Sequence, residues 1–437
     1  MRLSFFQKAM VDDLLSRIKR FIPKKLFDAM APAYHYSLAL AGALVFGFPS
    51  KRLTVIAVTG TKGKSSTTEM INAIFEAAGH RTVLLNTIRW KIADNSTPNT
   101  RKMTVPGRFF IQQMLRAGLS AGCDTAILEL SSEAAKQYRH KFVYLDALVF
   151  TNLTPEHIES HGSFEAYRKA KLSLTETLCR RLKKRSVIVA NADDPESAHF
   201  LKCGALEQVP FSLRDGDPYK IEAGGVTFNF DGVEIKSVLR GEFNLRNLLG
   251  AAACAKTFGI SAAAIKEGLE KLSIIKGRVE FVKLDGNTDQ NFDVVVDYAH
   301  TADSLKELYK AFENQRKICV LGNTGGGRDR WKRPEMAGVA DAYCDEIILT
   351  NEDPYDENPD KIIEDMLPGF KTKEPTIIMD RRDAIAEAIK RAKGGDAVLI
   401  TGKGTDPYIM LANGKKLSWS DYEVAKEELK KVLTGNA

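Results

Sequence analysis

Hydrophobic residues along this chain alternate between short β-branched runs and longer stretches with helical spacing. The short runs predict buried parallel strands, and the amphipathic stretches predict helices. We expect strands at residues 53–58, 82–85, 125–130, 147–150 and 187–190. We expect helices between them, among others at 109–119 and 164–182. This alternation is typical of a doubly wound α/β sheet.

The second half of the chain restarts the alternation after an antiparallel stretch. Residues 219–239 contain Gly224-Gly225 and Asp231-Gly232, which predicts hairpins, and helices follow at 245–258 and 262–272. A new α/β run begins near Gly277. Its strands are expected at 294–296, 318–321, 347–350, 376–379 and 398–401.

The first fifty residues allow two interpretations. Residues 1–25 predict an amphipathic basic helix. Residues 31–48 are apolar but short for a membrane span, and Pro32 and His35 interrupt their start. The pattern favours a buried helix that packs on the next domain. The alternative is a membrane-surface anchor assisted by the basic residues at 19–25.

Composition describes an ordinary globular protein of two or three domains, with 437 residues, 44% hydrophobic and 27% charged. The net charge of +7 suits anionic substrates. No motif of a nucleic-acid-binding module accompanies it, so we predict no nucleic-acid partner. The six cysteines are dispersed and form no C-x-x-C pair. We therefore expect no disulfide framework, no structural zinc and a reducing cytoplasm.

The most specific motif is a phosphate loop. The strand at 53–58 runs through Thr59 into this loop, and an amphipathic helix follows it. Its glycines let the backbone turn and point N–H groups at phosphate oxygens, while Lys64 can reach the terminal phosphates and Ser65 can bind Mg²⁺. Two residues separate the glycines, instead of the usual four. The preceding strand, the Gly-Lys-Ser sequence and the following helix nevertheless disfavour a plain turn and predict ATP binding. The loop reads Gly60-Thr61-Lys62-Gly63-Lys64-Ser65-Ser66.

Three regions follow from these elements. We predict a short helical N-terminal segment at 1–52, a central P-loop domain with a parallel sheet at 53–276, and a C-terminal Rossmann-like α/β domain at 277–437. The last boundary rests on the restart of the alternation, since no linker composition marks it.

Polar residues follow several predicted strands, where ligands of open α/β sheets collect. Glu129 can hold Mg²⁺ there, or it is an ordinary strand-end carboxylate. His157 is the better metal ligand of two histidines four residues apart, because it lies nearer its strand. Lys171 lies on a predicted helix, where spacing alone indicates a solvated side chain. A second glycine-rich loop carries Arg328 and Arg330, which suit a carboxylate or oxyanion clamp.

The order of these motifs resembles the Mur ligase family, ATP-dependent ligases that assemble peptidoglycan stem peptides. The resemblance runs from about residue 55 to about residue 429. It is greatest to the members that add the third amino acid to a UDP-N-acetylmuramoyl dipeptide. The matching segments after the phosphate loop are 103–106, 129–139, 151–162, 167–172, 241–247, 277–280, 297–305, 325–334, 380–381 and 402–404.

The resemblance implies roles for individual residues. It implies ATP binding by Gly60, Thr61, Lys62, Gly63, Lys64, Ser65, Ser66, Asn247, Arg278, Asp297 and His300. It implies substrate binding by Thr104, Ser131, Gln137, Arg139, Arg328, Asp353, Tyr355, Gly402 and Lys403. Catalysis is implied for Lys64, Lys171, His157 and Glu129, and Mg²⁺ binding for Ser65, Glu129, His157 and Lys171. Lys171 matches the lysine that the family carbamylates, so the resemblance implies a carbamate at Lys171 that helps to organise Mg²⁺.

The chain departs from the family pattern at the amino-acid selector. Diaminopimelate-adding members read Asp-Asn-Pro-Arg where this chain reads Glu352-Asp353-Pro354-Tyr355. Tyr355 cannot form the bidentate contact by which arginine grips a carboxylate. Thr405-Asp406 also replaces His-Glu, and Glu133 replaces a histidine. The added amino acid therefore stays open between diaminopimelate, lysine and another one.

A further departure lies before the phosphate loop. The family places a uridine-binding domain there, whereas 52 residues precede Leu53. The resemblance implies a reduced segment that grips the carrier differently, or an acceptor that is not a UDP-sugar peptide. A lipid-linked acceptor would suit the apolar residues at 38–48.

The implied function is an ATP-dependent ligase that joins an amino acid to UDP-N-acetylmuramoyl-L-Ala-D-Glu through an acyl phosphate. ATP and Mg²⁺ are the implied cofactors and small molecules the implied partners, in a cytoplasmic protein with a possible membrane contact through residues 1–50. The alternatives are a related ligase of the folylpolyglutamate or cyanophycin type and a non-catalytic nucleotide-binding partner. The segment at 297–305 disfavours the folate type, and the presence of Lys64, Glu129, His157 and Lys171 disfavours the non-catalytic one.

Overall fold

Two parallel-rich sheets organise the chain, and the predicted α/β class is confirmed. The computed structural model describes residues 24–156, 158–179, 183, 185–284, 286 and 290–434.

The larger sheet has eight strands, with β3 and β4 as an antiparallel edge and the others parallel. The strands are β1 Thr54–Thr59, β2 Thr82–Leu85, β3 Arg89–Ile92, β4 Asn95–Pro98, β5 Thr125–Glu129, β6 Ala147–Phe150, β7 Val187–Asn191 and β8 Glu207–Phe211. Their order is β4-β3-β2-β5-β1-β6-β7-β8. Because β1 pairs with β5 on one side and β6 on the other, the segments after these three strands meet at one edge.

Helices cover both faces of this sheet. The helices of this part are α1 Lys24–Phe46, α2 Lys64–Ala77, α3 Arg108–Ser120, α4 Ser132–Lys136, α5 Ile158–His161, α6 Phe164–Cys179, α7 Ser197–Leu201, α8 Glu242–Thr257 and α9 Ala262–Lys271. Ile71 and Phe75 of α2 pack with α8 and α9 on one face, and α3 and α6 place Ile111 and Leu174 on the other. Burial on both faces explains why these strands are continuously apolar.

The predicted hairpins form a three-stranded antiparallel sheet beside the central domain. Its strands are β9 Lys220–Glu222, β10 Gly225–Phe230 and β11 Val233–Ser237. Phe228 and Ile235 are buried in the same core as α2 and α8, so this sheet caps one helical layer.

The second large sheet has six strands in the order β12-β13-β17-β14-β15-β16, of which β12 is antiparallel to its neighbour. They are β12 Glu280–Phe281, β13 Asp293–Val296, β14 Lys317–Leu321, β15 Glu346–Leu349, β16 Thr376–Ile377 and β17 Ala397–Ile400, followed by the hairpin β18 Tyr408–Met410 and β19 Lys416–Ser418. Its helices are α10 Ala302–Lys310, α11 Lys332–Tyr343, α12 Pro359–Met366, α13 Arg381–Arg391 and α14 Asp421–Leu433. The domain limits at 52 and 276 stay a prediction.

Helix α1 is buried on one side only. Ala39 and Ala43 lie against α3 and are almost fully buried, whereas Leu44 and Val45 are 60% and 69% exposed. The structure thus combines packing, as the favoured interpretation expects, with an exposed apolar side. In the part of the chain that the structure describes, no helix is long and apolar enough to cross a membrane. The predicted helix at 1–25 lies almost wholly outside the described residues.

One cysteine pair corrects the expectation about disulfides. Cys319 on β14 and Cys344 just before β15 form a buried disulfide, with Cα atoms 6.2 Å apart. The two positions are 25 residues apart in sequence and become neighbours because β14 pairs with β15. Cysteine spacing alone does not show such a pairing.

Candidate active site

A cavity of about 490 Å³ lies between the central and C-terminal domains. The phosphate loop and the ends of β5 and β6 form its central-domain wall. The opposite wall is formed by Arg278, which precedes β12, by residues after β13 and by the loop after β14. Predicted site residues that line it are Thr61, Lys62, Gly63, Lys64, Ser65, Ser66, Thr104, Glu129, Ser131, Asn247, Arg278, Asp297, His300 and Arg328.

The phosphate loop is fixed by the segment that follows β6. The backbone N–H of Thr61 donates to the Asn152 carbonyl, and that of Lys62 to the Asn152 side chain, both at 2.8 Å. Gly60 has φ 150°, and a Cβ there would overlap the Thr151 hydroxyl. Only glycine therefore fits this close approach.

Helix α2 begins at Lys64, directly after Gly63 in the left-handed region with φ 77°. The helix N-terminus therefore points into the cavity, where its N–H groups and dipole favour an anion. The Lys64 ammonium donates to the Thr61 carbonyl at 2.8 Å. Burial lowers the pKa of Lys64, although Glu129 and Glu156 oppose this effect.

An oxygen-rich cluster stands beside the start of α2. Glu129 is 2% exposed, and its carboxylate accepts hydrogen bonds from the Ser65 hydroxyl at 2.9 Å and from the backbone N–H and hydroxyl of Thr87 at 2.9 and 3.1 Å. Hydroxyl and carboxylate oxygens are the ligands that Mg²⁺ prefers, so Ser65 and Glu129 fit that ion. Among the described residues, this cluster included, no group of three or more His, Cys, Asp and Glu side chains is arranged to hold a metal.

Lys171 lies beneath the phosphate loop rather than in solvent. Its side chain is almost fully buried, and its Nζ donates to the Gly60 carbonyl at 2.6 Å. Burial and the nearby Lys64 lower its pKa well below the usual range. The expectation of a solvated lysine, based on spacing alone, is therefore wrong.

The C-terminal domain contributes aromatic and charged groups to the opposite wall. The Arg278 guanidinium lies over the Tyr298 ring at 4.4 Å. His300 Nε2 is 3.0 Å from the Glu156 carboxylate, which also accepts from Lys62 at 3.0 Å. This contact joins the phosphate loop to the C-terminal domain.

The predicted acceptor-binding residues form two layers. The Thr104 hydroxyl is 3.1 Å from that of Thr87, and Ser131 lines the cavity and caps α4. Arg139 lies behind them, where it donates to the Val105 carbonyl at 2.5 Å and to Gln137 at 2.7 Å. Arg139 and Gln137 therefore support the segment at 103–106.

The predicted amino-acid-binding residues are mostly paired with one another. The Lys403 ammonium is fully buried and donates to Asp353 at 2.8 Å. Tyr355 adopts the left-handed region with φ 53° and lies against Gly326, beside Arg328. A Cβ on Gly402 would overlap the buried Glu352 carboxylate. Of these residues, Arg328 lines the cavity. His157 lies outside the described residues.

Two family models match the chain. The Mur ligase middle domain matches residues 58–255, and the Mur ligase, glutamate ligase domain matches residues 277–404. UDP-N-acetylmuramoyl-L-alanyl-D-glutamate--2,6-diaminopimelate ligase from Bacillus licheniformis is 36% identical over 406 residues, covering 90% of this chain and 82% of its own. The chain belongs to the Mur ligase family. The same-named ligase from Nostoc is also 36% identical, over 90% of this Mur ligase and 80% of its own length.

Solved structures agree with this assignment. A ligase of the same name has a TM-score of 0.59 at 29% identity, covering 86% of this Mur ligase and 78% of its own chain. Folylpolyglutamate synthase from Mycobacterium tuberculosis has a TM-score of 0.67 at 16% identity, covering 85% of this Mur ligase and 93% of its own chain. At this identity the likeness shows a shared fold alone. The predicted family is confirmed, and this Mur ligase is an ATP-dependent ligase that forms amide bonds.

The cavity residues that sequence reasoning missed include Thr87, Glu156 and Lys102. Thr87 follows β2 at the same sheet edge as Glu129, and this strand-end position could have revealed it. Glu156 lies within the matching family segment at 151–162 and pairs with Lys62 and His300. Lys102 had no signal in the sequence, because its partners lie in the other domain.

Proposed function

We propose that this Mur ligase joins the D-glutamyl carboxylate of UDP-N-acetylmuramoyl-L-alanyl-D-glutamate to the amine of an amino acid. One observation carries the proposal: a single cavity contains the phosphate loop, the Ser65–Glu129 oxygen cluster, the acceptor segment at Thr104 and the C-terminal Arg328. The names of the relatives from Bacillus licheniformis and Nostoc support this acceptor.

The first step activates the carboxylate. One carboxylate oxygen forms a bond to the γ-phosphorus of ATP while the bond between that phosphorus and the β-phosphate oxygen breaks, which releases ADP. Lys64 and the N-terminus of α2 stabilise the phosphate charge. Ser65 and Glu129, with His157 and Lys171, would hold Mg²⁺, which supplies further neutralisation of that charge.

The second step forms the amide. The neutral amine attacks the carbonyl carbon of the acyl phosphate, and the tetrahedral species loses inorganic phosphate and a proton. The cavity lies between two domains that contact each other through His300 and Glu156. Closure there excludes water, which would otherwise hydrolyse the acyl phosphate.

Carbamylation of Lys171 is supported by its environment. CO₂ reacts with a neutral amine, and burial and Lys64 lower the pKa of Lys171 toward that form. A carbamate at Lys171 would carry a negative charge, which the nearby Lys64 ammonium would attract. It would also add carboxylate-like oxygens, which suit Mg²⁺, to the site.

We also propose that this Mur ligase is cytoplasmic and that its helix α1 touches a membrane surface. Met30, Leu44 and Val45 are 59%, 60% and 69% exposed, and the chain is basic at 19–25, which complements anionic headgroups. Sedimentation with vesicles of one-third anionic lipid tests this proposal. Leu44→Ser with Val45→Ser should lower the bound fraction, whereas equal binding of both proteins would contradict it.

The main test is an assay of ADP release with UDP-N-acetylmuramoyl-L-alanyl-D-glutamate, ATP, Mg²⁺ and single amino acids. The panel includes diaminopimelate and lysine, because Tyr355 leaves the selected amino acid open. We expect ADP release together with a product whose mass equals acceptor plus amino acid minus water. Release with a folate and glutamate instead would favour the folylpolyglutamate type, and release with neither acceptor would contradict the proposal.

A further inference from the structure

We propose that Lys102 is a positioning residue that clamps the acceptor side of the cavity to its amino-acid side, an inference that rests on the proposed function. Lys102 lies in the central domain, between β4 and α3. The carboxylates that it contacts, Asp353 and Asp406, lie in the C-terminal domain.

The contact is an almost buried ion network. The Lys102 ammonium is 2.6 Å from Asp353 and 3.0 Å from Asp406, and its side chain is 17% exposed. Lys403 is fully buried and lies 2.8 and 3.7 Å from the same two carboxylates. Two ammonium groups therefore balance two carboxylates. Removal of Lys102 would leave one negative charge without its partner in a desolvated place.

The backbone of Lys102 is held in an uncommon conformation. Its φ is 49°, in the left-handed region that lysine rarely adopts. The Asn99 side chain supports this turn, because it donates to the Met103 carbonyl at 3.0 Å and to the Asn86 carbonyl at 2.9 Å. Strained backbone that its surroundings enforce is common at ligand clamps.

The clamp is connected to the reacting centre by short contacts. Thr104, two residues after Lys102, lies 3.1 Å from the Thr87 hydroxyl, and Thr87 donates to Glu129. Lys102, Thr104, Glu129 and Arg328 line the same cavity. The ion network therefore sets how far the amino-acid side stands from the acceptor segment. Such spacing matters because reaction requires a near-attack distance.

Kinetics with three variants test the clamp. In Lys102→Met we expect the KM for the amino acid to rise about tenfold, equal to a loss of roughly 1.4 kcal/mol, while the affinity for a non-hydrolysable ATP analogue stays unchanged. Lys102→Arg should recover most of the effect, since a guanidinium can bridge two carboxylates. The control is Lys271→Met, because Lys271 is exposed and pairs with Glu267 within α9. It should leave both quantities unchanged.

Small-angle X-ray scattering of the full chain provides a readout that is independent of turnover. With the ATP analogue and Mg²⁺, Lys102→Met should keep a larger radius of gyration than the wild type and Lys271→Met. Three results would each overturn the clamp: equal scattering, an unchanged KM for the amino acid, or a lower KM for a cationic amino acid. A lower KM would mean that the Lys102 ammonium competes with the cationic substrate for the same carboxylates. If the wild type forms no amide at all, the proposed function fails, and scattering alone decides the clamp.

Discussion

The two ends of the cavity are built in different ways. The phosphate end comes from one short loop, Gly60 to Ser66, and from strand ends that meet beside it. The proposed amino-acid end is assembled from Lys102 and Arg328, which line the cavity, and from Asp353 and Asp406, which contact Lys102 from the other domain. The departures from the family pattern at Tyr355 and Asp406 also lie at this end. The proposed phosphate chemistry thus depends on a compact local motif, while the proposed selection of the amino acid depends on separate loops.

The largest expected effect is at the phosphate end. Lys64→Ala should lower amide formation by about 10²–10³-fold, the usual effect of losing one group that stabilises transition-state charge. ADP release measures this change, circular dichroism checks the fold, and Lys271→Ala is the control. Turnover near the wild-type rate would show that Lys64 does not act on phosphate.

A smaller effect is expected at Lys171. Lys171→Ala should lower activity by about 10–100-fold, as loss of a group that supports a metal site does. Formate or acetate should restore part of the activity if the missing group is a carbamate, because each supplies a carboxylate of similar shape. The same acids should not help Lys64→Ala. Absence of rescue in Lys171→Ala would argue against carbamylation.

The amino-acid end should respond in selectivity rather than in rate. Tyr355→Arg should shift preference toward diaminopimelate over lysine by about tenfold, since a charge-assisted contact of roughly 1.4 kcal/mol becomes possible. The ratio of kcat/KM values for the two amino acids measures the shift. Tyr355→Phe is the matched control and should leave the ratio unchanged. An unchanged ratio in Tyr355→Arg would remove this position from the selector.

The smallest expected effect concerns a carboxyl pair between the two domains. The Glu159 backbone N–H donates to Asp329 at 3.2 Å, and burial and a hydrogen bond with Asp329 raise the pKa of Glu159 to about 7 from 4.5. The folded form therefore holds a proton that the unfolded form releases, so the contribution to stability is present below pH 4.5 and is lost as pH rises through about 7.

Glu159→Gln should remove this dependence. Between pH 5 and pH 8 the melting temperature of the wild type should fall relative to the variant by at most about 2 °C, because the Glu159 side chain is exposed and solvent screens its interactions. If the difference in melting temperature between wild type and variant is the same at pH 5 and pH 8, Glu159 and Asp329 do not share a proton.

Local sequence patterns predicted much of the fold. Strands β2 and β6 have the predicted bounds, and the predicted hairpins lie at β9 to β11. The pattern missed the antiparallel edge strands, the largely half-buried β3 and the exposed β4, because neither has a continuous apolar run. It also missed β18 and β19, which are three residues each.

The sequence by itself determined the alternating α/β architecture and the phosphate loop, because both depend on residues that are consecutive or a few positions apart. Only the tertiary structure decided that Lys102 meets Asp353 across 251 positions, that Cys319 meets Cys344, and that Lys171 is buried. These contacts depend on how strands pair and how two domains dock. No periodicity along the chain encodes that docking.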